Sequence, residues 1–109
     1  MQRYETILTE GAERDLGDLF DYIASHDSLA AANHVLDRIE KSIDGLSSFP
    51  ERGSFPKELL ALGLRDYRQV FFGPYRLIYR LIETRVYVYL IVDGRRDMQA
   101  LLARRLLGS

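Results

Sequence analysis

The segment YRLIYRLI, residues 75–82, decides the fold of this chain of 109 residues. Alternate side chains of a β-strand point to opposite faces, so one face carries Leu77, Tyr79 and Leu81, and the other carries Arg76, Ile78, Arg80 and Ile82. We expect the first face to cover a layer of helices. The second face alternates arginines with aliphatic groups, which predicts a half-open binding surface.

Three more strands are predicted around this segment. Val86 to Val92 follows it after a turn at residues 83–85, which predicts an antiparallel hairpin. Leu64 to Phe72 precedes it and ends at a Gly73-Pro74 turn. Arg3 to Leu8 alternates in the same way and predicts a first strand, while residues 57–62 are compatible with a short helical turn.

Two amphipathic helices are predicted between the first strand and the others. Thr9 can cap the first helix, and Asp27 or Ser28 can cap the second. Their short connection predicts a helical hairpin that packs on the sheet. The apolar stripes, at spacings of three and four, are Ala12, Leu16, Leu19, Phe20 and Ile23 in the first helix, and Ala32, Val35, Leu36, Ile39, Ile43 and Leu46 in the second.

A short helix is predicted at the end of the sequence. Asp97 can cap it, and Met98, Leu101, Leu102 and Leu106 then recur at helical spacing. Packing against the rest of the protein is the favoured interpretation of this stripe, although a terminal element can also be displaced by a partner.

The composition is that of a globular protein, because 47% of the residues are hydrophobic and 28% are charged. We predict a single domain over residues 1–109, since the chain is too short for two. The longest apolar runs fall short of the roughly 20 residues that span a bilayer, and residues 1–6 do not resemble a signal peptide. With no Cys, a cytoplasmic protein without disulfides is expected.

Charge is divided unevenly along the chain. Residues 1–63 hold 6 Lys/Arg and 12 Asp/Glu, whereas residues 64–109 hold 9 Arg and 4 Asp/Glu. A basic second half either attracts an anionic partner or pairs with the acidic first half of the same fold.

Several polar residues could suggest catalysis or metal binding, but the sequence favours plainer interpretations. Asp15, Asp18 and Asp21 lie mainly off the apolar stripe, as carboxylates on a solvated helix surface do. His26 and His34 are the only histidines, and without Cys or a paired spacing they are predicted to be surface residues. No nucleotide-binding loop or Ser/His/Asp arrangement is present, so no metal or cofactor is predicted.

The candidate binding residues are therefore arginines. Guanidinium groups bind phosphates and carboxylates, so the partner anion is a nucleic acid, an acidic protein segment or the helices of the same chain. The predicted set contains Arg65, Arg68, Arg76, Arg80, Arg95 and Arg96.

The run Pro74-Tyr75-Arg76-Leu77-Ile78-Tyr79-Arg80, the strand after it, and Asp93-Gly94-Arg95-Arg96-Asp97 resemble the RelE/ParE superfamily of bacterial toxin–antitoxin toxins. This resemblance implies an α+β fold in β-α-α-β-β-β order, with an N-terminal helical hairpin packed on an antiparallel sheet and a short C-terminal helix. The usual ParE-like ending is His-Gly-Arg-Arg-Asp, so Asp93 stands here in the position of the histidine.

Two functions of different classes occur in this superfamily. RelE-like members cleave messenger RNA on the ribosome, and Arg76 and Arg96 resemble arginines of that mechanism. The paired lysines of that branch are reduced here to Arg68, and its C-terminal aromatic position falls near Leu102. An arginine that stays protonated is a poor general base. The longer helical hairpin instead resembles the ParE-like branch, which acts on DNA gyrase by binding and without catalysis.

The resemblance therefore implies a gyrase-inhibiting toxin that stabilises the DNA-cleaved state of the enzyme. A ParD-like antitoxin is expected to form a hetero-oligomer with it, by laying an amphipathic, partly acidic segment across the hairpin and sheet. Operator DNA is expected to be contacted only through that complex. Arg76, Arg80 and Arg96 are hypothesised to contact the antitoxin or the target. The alternatives are a ribosome-dependent RNA endonuclease and a non-toxic relative that only binds its antitoxin.

Overall fold

A computed structural model describes residues 3–107, so residues 1 and 2, which belong to the segment considered for a signal peptide, lie outside the described part. The elements follow the predicted order, and the helical turn considered for residues 57–62 is a short helix between the hairpin and the second strand. They are β1 (Glu5–Leu8), α1 (Glu10–His26), α2 (Leu29–Ser48), α3 (Lys57–Leu60), β2 (Tyr67–Phe72), β3 (Tyr75–Ile82), β4 (Arg85–Asp93) and α4 (Met98–Leu106). The strand predicted from Leu64 begins only at Tyr67.

The sheet has the strand order β1-β4-β3-β2 and is mixed. The β2–β3 and β3–β4 pairs are antiparallel, as predicted. The expectation of a purely antiparallel sheet is wrong, because β1 runs parallel to β4, with Glu5 opposite Arg85 and Leu8 opposite Val88. The helical hairpin makes this possible, since parallel neighbours need a long crossover connection and α1 and α2 lie between the two strands.

Both strand connections are tight two-residue turns. Gly73 has φ +56° in the turn between β2 and β3, a left-handed conformation that glycine adopts without steric cost. Glu83 has φ 56° in the turn between β3 and β4, and β4 begins at Arg85, which the sequence had placed in that turn. These turns fix the register of the three longest strands.

The predicted helix caps are confirmed. The side chains of Thr9, Ser28 and Asp97 accept hydrogen bonds from the backbone N–H groups of Ala12, Ala31 and Ala100, respectively. Each cap satisfies a donor that the first turn of its helix would otherwise leave unpaired.

The helical hairpin covers one face of the sheet, as predicted. The core on this side joins both helices to β3 and β4. Leu46, Tyr79 and Val88 in this layer are completely buried. The Tyr79 hydroxyl donates to the Pro50 carbonyl (2.7 Å) and accepts from the Gly53 N–H (3.1 Å), so it holds the loop after α2 against the sheet.

The opposite face of the sheet is covered where Arg76 and Ile78 lie, so the predicted half-open surface is wrong for that part, whereas Arg80 is partly exposed and Ile82 is 37% exposed. Helices α3 and α4 pack there and form a second apolar core. Ile78 is completely buried and Arg76 is 7% exposed. The apolar stripe of α4 does not show in the sequence which surface it covers. In the structure it covers this face of the sheet. The buried residues of this core are Leu59, Ile78, Leu90, Val92, Met98, Leu101 and Leu102.

A β-bulge at Tyr89 places Val88 and Leu90 of β4 on opposite faces of the sheet. Tyr79 lies opposite Val88, and Ile78 lies opposite Leu90, so Tyr89 has no direct partner on β3. The bulge shifts the alternation by one residue, which turns Val88 toward the helical hairpin and Leu90 toward α4.

The aspartates of α1 and the histidines of α1 and α2 differ in their surroundings. Asp18 and Asp21 are exposed, but Asp15 is not part of a solvated surface: its carboxylate forms an ion pair with Arg105 of α4 at 2.9 Å. The partner lies 90 residues away in sequence, which is why spacing along the helix could not reveal it. His26 and His34 are exposed, as predicted.

Candidate arginine-lined binding site

The six predicted arginines do not form one site. Arg76 is buried between the sheet and α3. Three others surround the start of β2, and two lie after the end of β4, at the opposite end of the sheet. The second group is Arg65, Arg68 and Arg80, and the third is Arg95 and Arg96.

Arg76 is held by a carboxylate of its own chain. Its Nη1 and Nη2 donate to the two carboxylate oxygens of Glu58 at 2.8 and 3.0 Å, and Nη2 also donates to the Gln69 side-chain carbonyl. The Arg76 and Glu58 side chains are 8% and 11% exposed. Nε is buried and has no hydrogen-bond partner in the described part of the chain, and the guanidinium carbon lies 5.7 Å from the centre of the Phe71 ring. This fork satisfies most of the guanidinium and leaves little of it for a ligand.

The electrostatics of this pair favour the charged carboxylate. The hydrogen bond from Arg76 holds the pKa of Glu58 below its ordinary value of 4.5, against the opposing effect of burial. Glu58 is carried by α3, which the sequence analysis treated only as a helical turn. The sequence analysis did not predict Glu58 as the partner of Arg76. The available signal was its place directly before the apolar Leu59, which is buried.

The turn after β4 packs on the stem of Arg76. The Gly94 N–H donates to the Pro74 carbonyl at 2.7 Å. A Cβ at residue 94 would lie 2.6 Å from Cδ of Arg76, so only glycine allows this approach. The glycine of the Asp93-Gly94-Arg95-Arg96-Asp97 motif therefore has a packing role.

Arg68 and Arg65 share an aromatic surface at the start of β2. Their guanidinium carbons lie 4.6 and 6.0 Å from the centre of the Phe55 ring. Arg68 Nη1 also donates to the backbone carbonyls of Glu51 and Gly53, at 3.2 and 2.9 Å. Arg68 thus fastens the loop, whereas the exposed Arg65 is available to a partner.

Arg80 lies on the other side of the same corner. Its guanidinium carbon is 5.8 Å from the centre of the Tyr67 ring, and Tyr67 meets Tyr89 edge-to-face at 5.5 Å. Burial raises the pKa of Tyr89 above its ordinary value of 10.0. Arg80 is partly exposed, so it combines an aromatic contact with an accessible cation.

Asp93, in the position of the family histidine, binds the arginine two residues later. Its Oδ1 accepts from the backbone N–H and Nε of Arg95, both at 2.9 Å, and its Oδ2 accepts from Nη2 at 2.6 Å. The hydrogen bonds from Arg95 lower the pKa of Asp93 below its ordinary value of 3.8. Asp93 is therefore an ionised acceptor, unable to perform the proton transfer for which histidine is suited.

An open groove of about 540 Å³ lies between α1 and the end of β4. The exposed Arg96 lines it, and its side chain forms no ion pair with any residue in the range 3–107. The wall from α1 presents Leu19 and Tyr22, and Tyr22 is 62% exposed. Among the described residues, the groove thus combines apolar surface with the unpaired cation of Arg96 and the unpaired carboxylate of Asp18. Its remaining lining residues are Asp15, Tyr75, Ile91, Val92, Asp93 and Arg95.

Residues 3–107 contain no group of three or more His, Asp or Glu side chains that could hold a metal ion. None of the helices in this range is long and apolar enough to cross a membrane.

Comparisons with known proteins agree with this fold. The model of the family described as "ParE toxin of type II toxin-antitoxin system, parDE" matches residues 6–98. The chain is 30% identical over 99 residues to Toxin ParE3 of Caulobacter vibrioides (strain ATCC 19089 / CIP 103742 / CB 15). The aligned region covers 91% of this chain and 95% of that protein.

Two solved structures show the same fold. The chromosomal ParDE system from P. aeruginosa matches with a TM-score of 0.70 and 14% identity, over 84% of this chain and 96% of the other. The toxin–antitoxin complex RelBE2 from Mycobacterium tuberculosis matches with a TM-score of 0.62 and 23% identity, over 84% and 98%. At these identities the likeness concerns the fold alone. The α+β RelE/ParE-like fold expected from the sequence is confirmed, and the chain belongs to the ParE toxin family of the RelE/ParE type II toxin–antitoxin superfamily.

Proposed function

We propose that this ParE-family toxin inhibits DNA gyrase by binding it and stabilising its DNA-cleaved state. The alternative within the superfamily is cleavage of messenger RNA. The observation that favours binding is the burial of Arg76 against Glu58. An arginine that stabilises a phosphate in a transition state has to present its N–H groups to that phosphate, and here the fork is directed at an internal carboxylate.

The surroundings of the other arginines support the same choice. Asp93 accepts hydrogen bonds from Arg95 that lower its pKa, so it does not suit general acid–base catalysis at neutral pH, and a guanidinium such as that of Arg96 offers donors but no acceptor. The toxin acts by occupying a surface of its target rather than by chemistry. The proposed location is the cytoplasm, where gyrase acts on chromosomal DNA.

A ParD-like antitoxin is the proposed neutralising partner. The solved relatives are described as a ParDE system and a RelBE2 toxin–antitoxin complex, which supports a partner of this kind. The groove beside β4 offers an amphipathic, partly acidic segment the apolar contacts of Leu19 and Tyr22 and the cation of Arg96. Operator DNA is contacted only through the resulting hetero-oligomer.

The six predicted arginines differ in how accessible they are to a partner. Arg65, Arg80 and Arg96 carry the proposed contacts with the antitoxin or the target, because none of them forms an ion pair within the described residues. Arg68 and Arg95 are engaged locally and contribute part of their surface. Arg76 contributes to binding only indirectly, by stabilising the fold through its buried ion pair with Glu58.

The decisive experiment compares two activities of one toxin sample. Gyrase, ATP and plasmid report supercoiling and DNA cleavage, while ribosomes and messenger RNA report endonuclease activity. We expect lost supercoiling, accumulated linear DNA and intact RNA. Toxin preincubated with its antitoxin serves as the inactive control. Cut RNA with unaffected gyrase would overturn the proposal in favour of the endonuclease, and no effect in either assay would favour the non-toxic relative.

A further inference from the structure

The edge of β4 is only half covered by a neighbouring strand. β4 has nine residues, and β1 pairs with the first four of them, from Arg85 to Val88. The Thr9 N–H donates to the Val88 carbonyl at 3.1 Å, and the chain then turns away into α1. Within residues 3–107, the backbone groups beyond Val88 on this side have no strand partner, and an unpaired edge favours pairing with another chain.

Two side chains replace the missing strand. Asp15 Oδ2 accepts from the Ile91 N–H at 3.2 Å, and Arg105 Nη2 donates to the Tyr89 carbonyl at 3.0 Å. Asp15 and Arg105 are hydrogen-bonded to each other, so the backbone groups of Tyr89 and Ile91 that they bind point to the same side of β4. A carboxylate acceptor and a guanidinium donor thus satisfy the edge where β1 ends.

The same two side chains bind each other across the molecule. Arg105 Nη1 donates to Asp15 Oδ1 at 2.9 Å, and Nη2 donates to Oδ2 at 3.1 Å. The two side chains are 25% and 12% exposed, so the pair is largely shielded from water. It joins the last turn of α4 to α1, while both residues also hold β4.

A glycine of α1 makes room for this pair. A Cβ at residue 11 would overlap with Nη2 of Arg105 and lie 3.2 Å from its Cζ. Glycine inside a helix costs up to about 1 kcal/mol relative to alanine. Gly11 places the guanidinium directly against α1, which gives the pair its close geometry.

Helix α4 depends on such contacts because it is short. It has nine residues, and isolated helices of this length are marginal in water. Its apolar side is buried on the sheet through Met98, Leu101 and Leu102, while Leu107 after its end is 48% exposed. The ion pair with Asp15 is therefore the polar attachment at the C-terminal end of the helix.

We propose that the Asp15–Arg105 pair is a latch that keeps α4 closed as a strap over the second core and over the open half of the β4 edge. When the latch breaks, α4 opens by local unfolding while the helical hairpin stays folded. Opening uncovers the apolar face beneath α4 and the backbone of Tyr89 and Ile91 together. The closed latch thereby blocks edge pairing with a second copy of this chain.

Hydrogen–deuterium exchange of four proteins tests the latch. Arg105→Gln removes the fork, and Gly11→Ala displaces the guanidinium without changing any charge. Arg104→Gln is the matched control, because Arg104 is exposed on the same helix and forms no ion pair within residues 3–107. The fourth protein is the unmodified chain, and residues 29–48 of α2 provide the internal reference. Size-exclusion chromatography with light scattering over a concentration series reports self-association.

We expect exchange in residues 89–93 and 98–107 to rise about tenfold or more in Arg105→Gln and Gly11→Ala, with α2 unchanged and Arg104→Gln like the unmodified protein. Self-association of the two latch variants should be stronger than that of Arg104→Gln. Exchange within about twofold of the control, or an equal rise in α2, would overturn the latch as a local device. Local opening without stronger self-association would overturn its role in blocking the edge. If Arg105→Gln does not fold, Gly11→Ala decides the question by itself.

Discussion

Arg76 and Glu58 show how burial changes what an arginine can do. Their fork links β3 to α3 in a site where both side chains are almost inaccessible. Such a pair adds little net stability relative to apolar residues, yet losing one member leaves the other charge buried and unpaired. The consequence is a strong dependence of the fold on each partner.

Glu58→Gln is predicted to lower the free energy of unfolding by about 3 kcal/mol, because the guanidinium of Arg76 stays buried without its counter-ion. Urea denaturation measures this change. Glu51→Gln is the matched control: Glu51 is exposed, its side chain forms no ion pair within residues 3–107, and its replacement should cost less than about 0.5 kcal/mol. Equal effects of the two substitutions would contradict the role of the buried pair.

The same pair predicts a component of stability that depends on pH. The pKa of Glu58 is lowered in the folded state, so the unfolded chain takes up a proton first as the pH falls below 4.5. The contribution of Glu58 is fully present above that pH and is lost as the pH falls through the folded-state pKa. The difference in stability between the unmodified protein and Glu58→Gln should therefore shrink on acidification. Urea denaturation between pH 7 and pH 3 tests this, and a constant difference would refute it.

Contacts between residues that are close in sequence could be predicted from the sequence. Contacts between residues that are far apart in sequence could not. The caps Thr9, Ser28 and Asp97 follow from hydrogen bonds within three residues. The partners of Arg76 and Asp15 lie 18 and 90 residues away, and any exposed carboxylate or arginine would have matched their local pattern equally well.

At the scale of elements, the turn between β2 and β3 depends on a backbone conformation. Gly73 has φ +56°, and among residues 3–107 no atom beyond its chain neighbours lies within 4 Å of an added Cβ. A substitution there is therefore strained by the backbone alone. In α1, a Cβ added at Gly17 would likewise meet no side chain of the described residues within 4 Å, but Gly17 lies within a regular helix.

The two glycines are predicted to respond in opposite directions to alanine. Gly73→Ala should lower the free energy of unfolding by about 1 kcal/mol, because an L-residue is disfavoured in the left-handed region. Gly17→Ala should raise it by roughly 0.5 to 1 kcal/mol through higher helix propensity. Thermal and urea unfolding of both variants measure these changes. A gain in stability at residue 73 would show that the turn has another conformation.

The types of elements were predictable because hydrophobic period separates helices from strands within a few residues. Their partners were less predictable. β1 was recognised as a strand, but its parallel pairing with β4 depends on the path of the hairpin between them. Predicting that the second face of the sheet is covered would have required the position of α4 in the fold. The apolar stripe of α4 does not specify that position.

At the scale of the molecule, the proposed antitoxin contact should depend on salt. Arg96→Gln is predicted to weaken binding of a partly acidic antitoxin segment by about threefold to tenfold and to reduce the salt dependence of its affinity. Calorimetric titrations at several salt concentrations measure both effects. Arg104→Gln removes the same charge from α4, away from the groove, and should leave both unchanged. Identical behaviour of the two variants would remove Arg96 from the proposed interface.

The fold and the family were predicted from the motifs around β3 and β4 together with the order of the elements, which extends over nearly the whole chain. The arrangement of the candidate site was not. Arginines that are near each other in sequence, such as Arg76 and Arg80, differ in burial and in partners once the sheet is covered on both faces.

The parallel pairing of β1 with β4 also has a consequence for synthesis. Glu5 lies opposite Arg85, so β1 has no partner strand during synthesis until 80 more residues have followed it. Contacts of such long sequence separation form slowly, because a large loop has to close first. During this interval the helical hairpin exists without the sheet that covers its apolar stripe, and it is exposed to aggregation. The sheet is therefore complete only after β4 has been translated, which places the formation of the first core late in synthesis.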